Sequence, residues 1–179
     1  MGRDKALLRC DAHALVEDVA AKVKEVAGSV ALVGQPQRYG GLAFDCLPDV
    51  RPGLGPLAGI EAAMEAGRAD LNLIVGCDMP GIEKKWLRQL MKRAEETNAL
   101  SVVARDGKGI VHPLCGIYRS DCLPVVRRAL DEGRLRARDF IRELRADFVD
   151  IGAVLHNVNT PEDWMAWQLR AHIGGVDGG

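Results

Sequence analysis

The sequence predicts an α/β fold with an open, mostly parallel, Rossmann-like sheet and helices on both faces. Three observations carry this. Short apolar, β-branched runs alternate with amphipathic helical stretches from one end of the chain to the other. The run LNLIVGCD, Leu71 to Asp78, reads as continuously apolar, as a parallel strand covered on both faces requires. Clusters of Gly and Pro, densest in PDVRPGLGPLAG, punctuate the connections.

Taken in order, Ala12 to Ala27 places Leu15, Val16, Val19 and Val23 on one helical stripe, ended by Gly28 and Ser29. SVALVG follows as a short strand, then a loop from Gln35 to Gly41 and a strand over Leu42 to Leu47. After the Gly/Pro segment, a helix is predicted from Ile60 to Ala66 and a strand over Leu71 to Asp78. A helix from Glu83 to Asn98 and a strand over Ala99 to Ala104 come next, with a turn at Asp106-Gly107-Lys108-Gly109 before a strand at Ile110 to Tyr118. SDCLPVVRRALDEG and ARDFIREL are helical, Gly133 closing the first. A late strand spans Ala146 to Ile151, and Thr160-Pro161-Glu162-Asp163 caps the last helix. With no repeat, linker or low-complexity tract, residues 1–173 are expected to form one domain and 174–179 a flexible tail.

At 179 residues the chain is long enough to bury a real core, and 47% of it is hydrophobic. The 24 Lys and Arg nearly cancel the 25 Asp and Glu, for a formal net charge of -1. That balance argues against a nucleic-acid surface. The five cysteines form no CxxC pair, which fits neither a zinc knuckle nor a redox dithiol; they read as reduced cytosolic thiols. No apolar run reaches membrane-spanning length and the start is polar, so a cytoplasmic address is expected, without membrane or nucleic-acid partners.

In such sheets ligands collect beyond the carboxyl ends of the strands, and four segments there invite chemistry. Gly2, Asp4 and Lys5 could hold phosphate charge, although a solvated N-terminus is the plainer reading. Gly53, Gly55 and Gly59 would let backbone approach a ligand, with the next helix offering amides to an anion; tight turns use the same residues. Asp78, following its strand in VGCDMP, sits where a divalent metal bridges triphosphate oxygens, or else caps a helix. In NVNTPED, helix capping explains Thr160 to Asp163 and leaves Asn157 and Asn159 for ligand contact.

The order DKALL, GPLAGI, a strand ending CDMP, HPLCGIYR and NVNTPEDW resembles the molybdenum cofactor guanylyltransferases over nearly the whole chain. The resemblance implies a nucleotide-diphospho-sugar transferase-like fold, magnesium as cofactor, and GTP and molybdopterin cofactor as substrates. Molybdoenzymes or cofactor-carrier proteins are the protein partners it implies. It also implies roles. Lys5 matches the phosphate-binding lysine, and Gly2 the end of the glycine-rich loop before it. Asp49 matches a nucleotide-contacting acid, Gly55 and Gly59 lie in the GPLAG loop, and Asp78 matches the magnesium ligand. Asn157 and Asn159 match a pair on the molybdopterin side, and His112 falls in a family-like position. GPLAG resembles the guanylyl branch more than the cytidylyl branch.

The resemblance departs at two places. Met1-Gly2 correspond to the last two letters of a LAGGxSxRMG loop that follows the family's first strand. The expectation is therefore weak GTP binding with little or no turnover by this chain, and a groove inside the sheet. Gly34 stands where relatives carry an asparagine. A cytidylyltransferase of the same pathway, a sugar-phosphate nucleotidyltransferase and a catalytically inert binding protein are the competing readings.

Overall fold

The computed structural model describes residues 9–10, 13–39 and 41–174. A small antiparallel pair, β1 (Arg9–Cys10) and β2 (His13–Ala14), leads into α1 (Leu15–Ala27). Then come β3 (Ala31–Gly34), α2 (Pro36–Tyr39), β4 (Asp45–Pro48), α3 (Pro56–Glu65) and β5 (Leu71–Val75). The second half holds α4 (Lys84–Glu96), β6 (Ser101–Arg105), β7 (Val111–Arg119), a 3-10 turn (Ser120–Cys122), α5 (Leu123–Asp131), α6 (Ala137–Glu143), β8 (Asp147–Asp150) and α7 (Pro161–Gly174).

Helix α1 begins where the Glu17 carboxylate accepts the Ala14 amide at 2.7 Å, with Glu17 and Asp18 at the positive end of the helix dipole. It stops at Gly28, whose φ of 79° supplies the left-handed cap that a Cβ would disfavour. Its expected stripe is buried, together with Ala20. The segment 35–41, expected as a loop, contains the short helix α2, because Pro36 has a helical φ already set.

Strands β3 and β4 pair in parallel, whereas the main sheet runs β5-β7-β6-β8. The α/β class with helices on both faces holds; within it β7 is antiparallel to both β5 and β6, and only β6 and β8 pair in parallel. The main sheet is thus mixed rather than mostly parallel. The cause is the tight turn at 106–109, which joins β6 to β7 directly, and a short hairpin connection forces antiparallel pairing.

Side-chain alternation along the central strands feeds two cores. Val102, Ala104, Cys115 and Ile117 pack with Trp86, Leu87 and Leu90 of α4 and with Val19 and Val23 of α1. Val103 and Tyr118 face the other way, onto Leu57 and Ile60 of α3, Val126 of α5 and Phe140 of α6. Each fully buried Leu, Ile or Phe here contributes roughly 1.5–3 kcal/mol of transfer free energy. Tyr118 sits in this core by stacking on Phe140, with centroids 6.3 Å apart, while its hydroxyl donates to the Pro113 carbonyl at 2.6 Å.

Strand β5 differs from the expected both-faces burial: all five of its residues are half-buried. The reason is a cavity of about 540 Å³ that opens between it and β3, lined by Val19 and Val23 of α1, Leu32, Ile60, Leu73 and Val75. Among the described residues β3 pairs with β4 alone and β5 with β7 alone, so the facing edges of both border this space.

Candidate nucleotide-transfer site

Asp78 lies three residues past β5, in the turn that leads to α4. The turn begins as Gly76 donates its amide to the Leu114 carbonyl at 2.7 Å, and it is pinned by Met79 and Ile82, both buried. Gly76 is glycine for a steric reason. A Cβ there would lie 2.6 Å from Oδ1 of Asp78 and 3.0 Å from the Met79 methyl, so any side chain would displace the carboxylate. On the helix side, Lys22 of α1 donates to the Pro80 carbonyl at 3.0 Å. Burial lowers the Lys22 pKa against the opposing pull of Asp18 and Glu83.

The segment before α7 closes on this turn. Val158 donates its amide to the Asp78 carbonyl at 2.8 Å, and the Asn157 side chain donates to Oδ2 of Asp78 at 3.2 Å. Val158 is itself held in a small core by Leu15 and Trp164. The capping reading of the next residues holds: Asp163 donates its amide to the Thr160 hydroxyl at 3.1 Å and accepts the Thr160 amide at 2.9 Å. Asn159 donates its own amide to the same Asp163 carboxylate. Of the two expected asparagines, Asn157 therefore contacts Asp78, while the backbone of Asn159 joins the helix cap.

The glycine-rich segment leaves β4 through Asp49, whose carboxylate accepts the Arg51 amide at 3.0 Å. Gly53 and Gly55 take φ of 88° and 76°, values that favour glycine. Helix α3 starts at Pro56, four residues earlier than the predicted Ile60, because Pro56 is suited to the first helical position and Leu57 and Ala58 are fully buried. Gly59 thus lies inside the helix rather than closing a loop. Pro56, Gly59 and Asp78 line the same cavity; Asp49, Gly55, Asn157 and Asn159 do not. Gly2 and Lys5 lie outside the described residues.

Two polar clusters escaped the sequence reading. Asp106, read only as a turn, is buried and accepts the amides of Lys108 and Ile110, each at 2.9 Å, and meets Nε2 of His112 at 3.2 Å. His112 is thereby tied to the β6–β7 turn. The other is the buried Glu61 on α3, with Nε of Arg51 at 3.0 Å. Nothing in the run IEAAM marks that glutamate as buried.

Gly34, where the sequence resemblance led to the expectation of an asparagine in relatives, borders the Tyr39 ring, which would lie 2.7 Å from an added Cβ. An asparagine there requires the ring to move.

A model of the MobA-like NTP transferase domain matches residues 1–148. The chain belongs to this family. It is 32% identical to a probable molybdenum cofactor guanylyltransferase of Pelotomaculum thermopropionicum over 181 residues, covering 96% of this chain and 87% of that protein. It is likewise 32% identical to one of Synechococcus elongatus over 187 residues, covering 94% and 92%. Among solved structures, molybdopterin-guanine dinucleotide biosynthesis protein A from Archaeoglobus fulgidus superposes with a TM-score of 0.79 at 18% identity, over 96% of this chain and 92% of that one. A CMP:2-keto-3-deoxy-manno-octonic acid synthetase complexed with CTP superposes at 0.76 and 12% identity, over 95% and 92%. At these identities the structures establish the shared fold.

Proposed function

We propose that this chain is a molybdenum cofactor guanylyltransferase, transferring GMP from GTP to molybdopterin cofactor with release of pyrophosphate. Its family and the names of its relatives support the reaction class. The observation that carries the site is the contact between Asn157 and Asp78, which joins a residue assigned to the molybdopterin side to one assigned to the triphosphate.

In this reading a phosphate oxygen of molybdopterin attacks the α-phosphorus of GTP in line. The new P–O bond forms as the bond to the β-phosphate bridging oxygen breaks, and that electron pair leaves with pyrophosphate. The chain contributes positioning and charge compensation rather than a covalent intermediate. Gly55 and Gly59 let the backbone and α3 approach the nucleotide, and Asp49 contacts it. Gly2 and Lys5 bear on the phosphates, and Asn157 and Asn159 orient molybdopterin.

Magnesium fits the donor chemistry at Asp78. Among the described residues no group of three or more His, Cys, Asp or Glu is arranged to hold a metal. Magnesium, however, is commonly held by one or two carboxylates together with substrate phosphates and water. Asp78 would hold it, with Asn157 fixing the carboxylate; the ion supplies charge neutralisation for the triphosphate. Residues 1–173 would act as one unit in the cytoplasm, delivering product to molybdoenzymes or cofactor-carrier proteins. Among the described residues no helix is long and apolar enough to cross a membrane. The test is pyrophosphate release from GTP or CTP in the presence of molybdopterin cofactor and magnesium. Release from GTP at a clear excess over CTP supports the reading; equal or faster release from CTP contradicts it.

A further inference from the structure

Glu61 stands out in the second core. It lies on α3 between Ile60 and Ala62, its side chain is only 2% exposed, and no aligned N–H reaches its Oε2. A buried carboxylate without compensation is costly, so its surroundings should be cationic. They are: Nε of Arg51 lies 3.0 Å from Oε2, and Nε of Arg127 on α5 lies 3.6 Å from Oε1. Arg51 spans further, donating from Nη1 to Asp131 at the end of α5 at 2.6 Å, and Arg127 also pairs with Glu65. One guanidinium therefore ties the stretch leading into Gly53 and Gly55 to two helices at once. The backbone adds its own tie, for Leu54 donates its amide to the Arg51 carbonyl at 3.3 Å.

The left-handed glycines give this loop little conformational preference of its own. Something outside it must select one geometry, and the Arg51 fork is the contact placed to do so. We propose that Arg51, anchored on the buried Glu61, is a positioning residue that fixes the Gly53–Gly55 turn, and with it the start of α3, in its nucleotide-binding shape. This rests on the functional reading above for the identity of the ligand, while the anchoring itself is a property of the chain alone. Arginine suits the position better than lysine, because two separate guanidinium nitrogens meet Glu61 and Asp131, where an ammonium would have to reach both carboxylates from one point. A loop released from this fork has to be ordered by the nucleotide at the moment of binding, which weakens affinity more than it slows the bound-state chemistry.

The experiment compares the wild-type chain with Arg51→Ala, Arg51→Lys and Glu61→Gln, the last keeping the buried shape without the charge. Arg88→Ala, which removes a surface partner of Glu25, is the control. Hydrogen exchange without nucleotide should accelerate at least tenfold in the amides of 53–55 in Arg51→Ala, and by less in the other two. Exchange in β6 and β7 should stay at the wild-type rate, as it should throughout the control. In turnover, KM for GTP should rise about tenfold or more in Arg51→Ala with kcat within about threefold. Unchanged loop exchange overturns the anchoring, and a kcat loss with unchanged KM overturns the positioning role. If the wild-type chain shows no GTP turnover, the functional reading fails; the exchange comparison still decides the anchoring.

Discussion

Asn157 donates to the Asp78 carboxylate across 3.2 Å, bridging residues 79 positions apart. With the Val158 amide on the Asp78 carbonyl, it makes a two-point clamp between the turn after β5 and the approach to α7. The clamp fixes which oxygen of Asp78 is engaged and leaves Oδ1 beside Gly76.

Asn157→Ala should therefore loosen Asp78 without unfolding the chain, since the side chain is exposed and makes one hydrogen bond there. The expected stability loss is about 0.5–1.5 kcal/mol. KM for molybdopterin cofactor should rise several-fold, and the magnesium concentration giving half-maximal rate should rise with it. Steady-state kinetics over a magnesium series would check this, and an unchanged magnesium dependence would remove the clamp from the account.

Gly76→Ala should be more damaging than its size suggests. The added methyl has to displace the Asp78 carboxylate and also crowds the Met79 methyl. Turnover should fall by roughly a hundredfold, in keeping with a misplacement on the order of 1 Å at a reacting centre, while circular dichroism stays native. Wild-type turnover would contradict the placement of Asp78 in the site.

Asp106 predicts an acid-stability signature. Burial alone would raise its pKa, but the Ile110 amide, His112 and the Lys108 amide together hold it below the ordinary value of 3.8. A carboxyl depressed in the folded state contributes stability above its unfolded pKa and loses it as pH falls through the folded value. Denaturant unfolding of wild type should weaken progressively below about pH 4, and Asp106→Asn should flatten that limb. An identical pH slope would exclude Asp106 as a contributor.

The cysteines give a check on the core. Burial pushes the Cys115 thiol up to about 12 and, with a smaller contribution from Asp121, the Cys122 thiol up to about 11. At pH 8 neither should react with a thiol reagent in the native chain, and both should react once it is unfolded. Labelling followed by peptide mass analysis reads this directly. Native-state modification of either would contradict the packing of β7 and the 3-10 turn.

Much of this was legible in the sequence because it is local. The stripe of α1 with its Gly28 cap and the Thr160 capping box depend on residues within a turn or two of each other, as does the position of Asp78 after its strand. What was not legible depends on partners far apart in the chain. The antiparallel setting of β7 is the exception: it follows from the local 106–109 turn, which the sequence shows, and the pattern of alternating elements outweighed it. The burial of Glu61 follows from Arg51 and Arg127 arriving from elsewhere, and the half-burial of β5 from the cavity beside it. Gly59 was placed in a loop because the Gly and Pro content of GPLAG outweighed the one fact that mattered, that Pro56 is well suited to begin a helix.

The central claim is guanylyl transfer dependent on Asp78, and the measurement that tests it most directly is pyrophosphate release from GTP with molybdopterin cofactor and magnesium, wild type against Asp78→Ala. The account predicts release by the wild-type chain, a loss of roughly a thousandfold or more in Asp78→Ala, and an unchanged unfolding midpoint within a few degrees. An Asp78→Ala chain that releases pyrophosphate at the wild-type rate would contradict it.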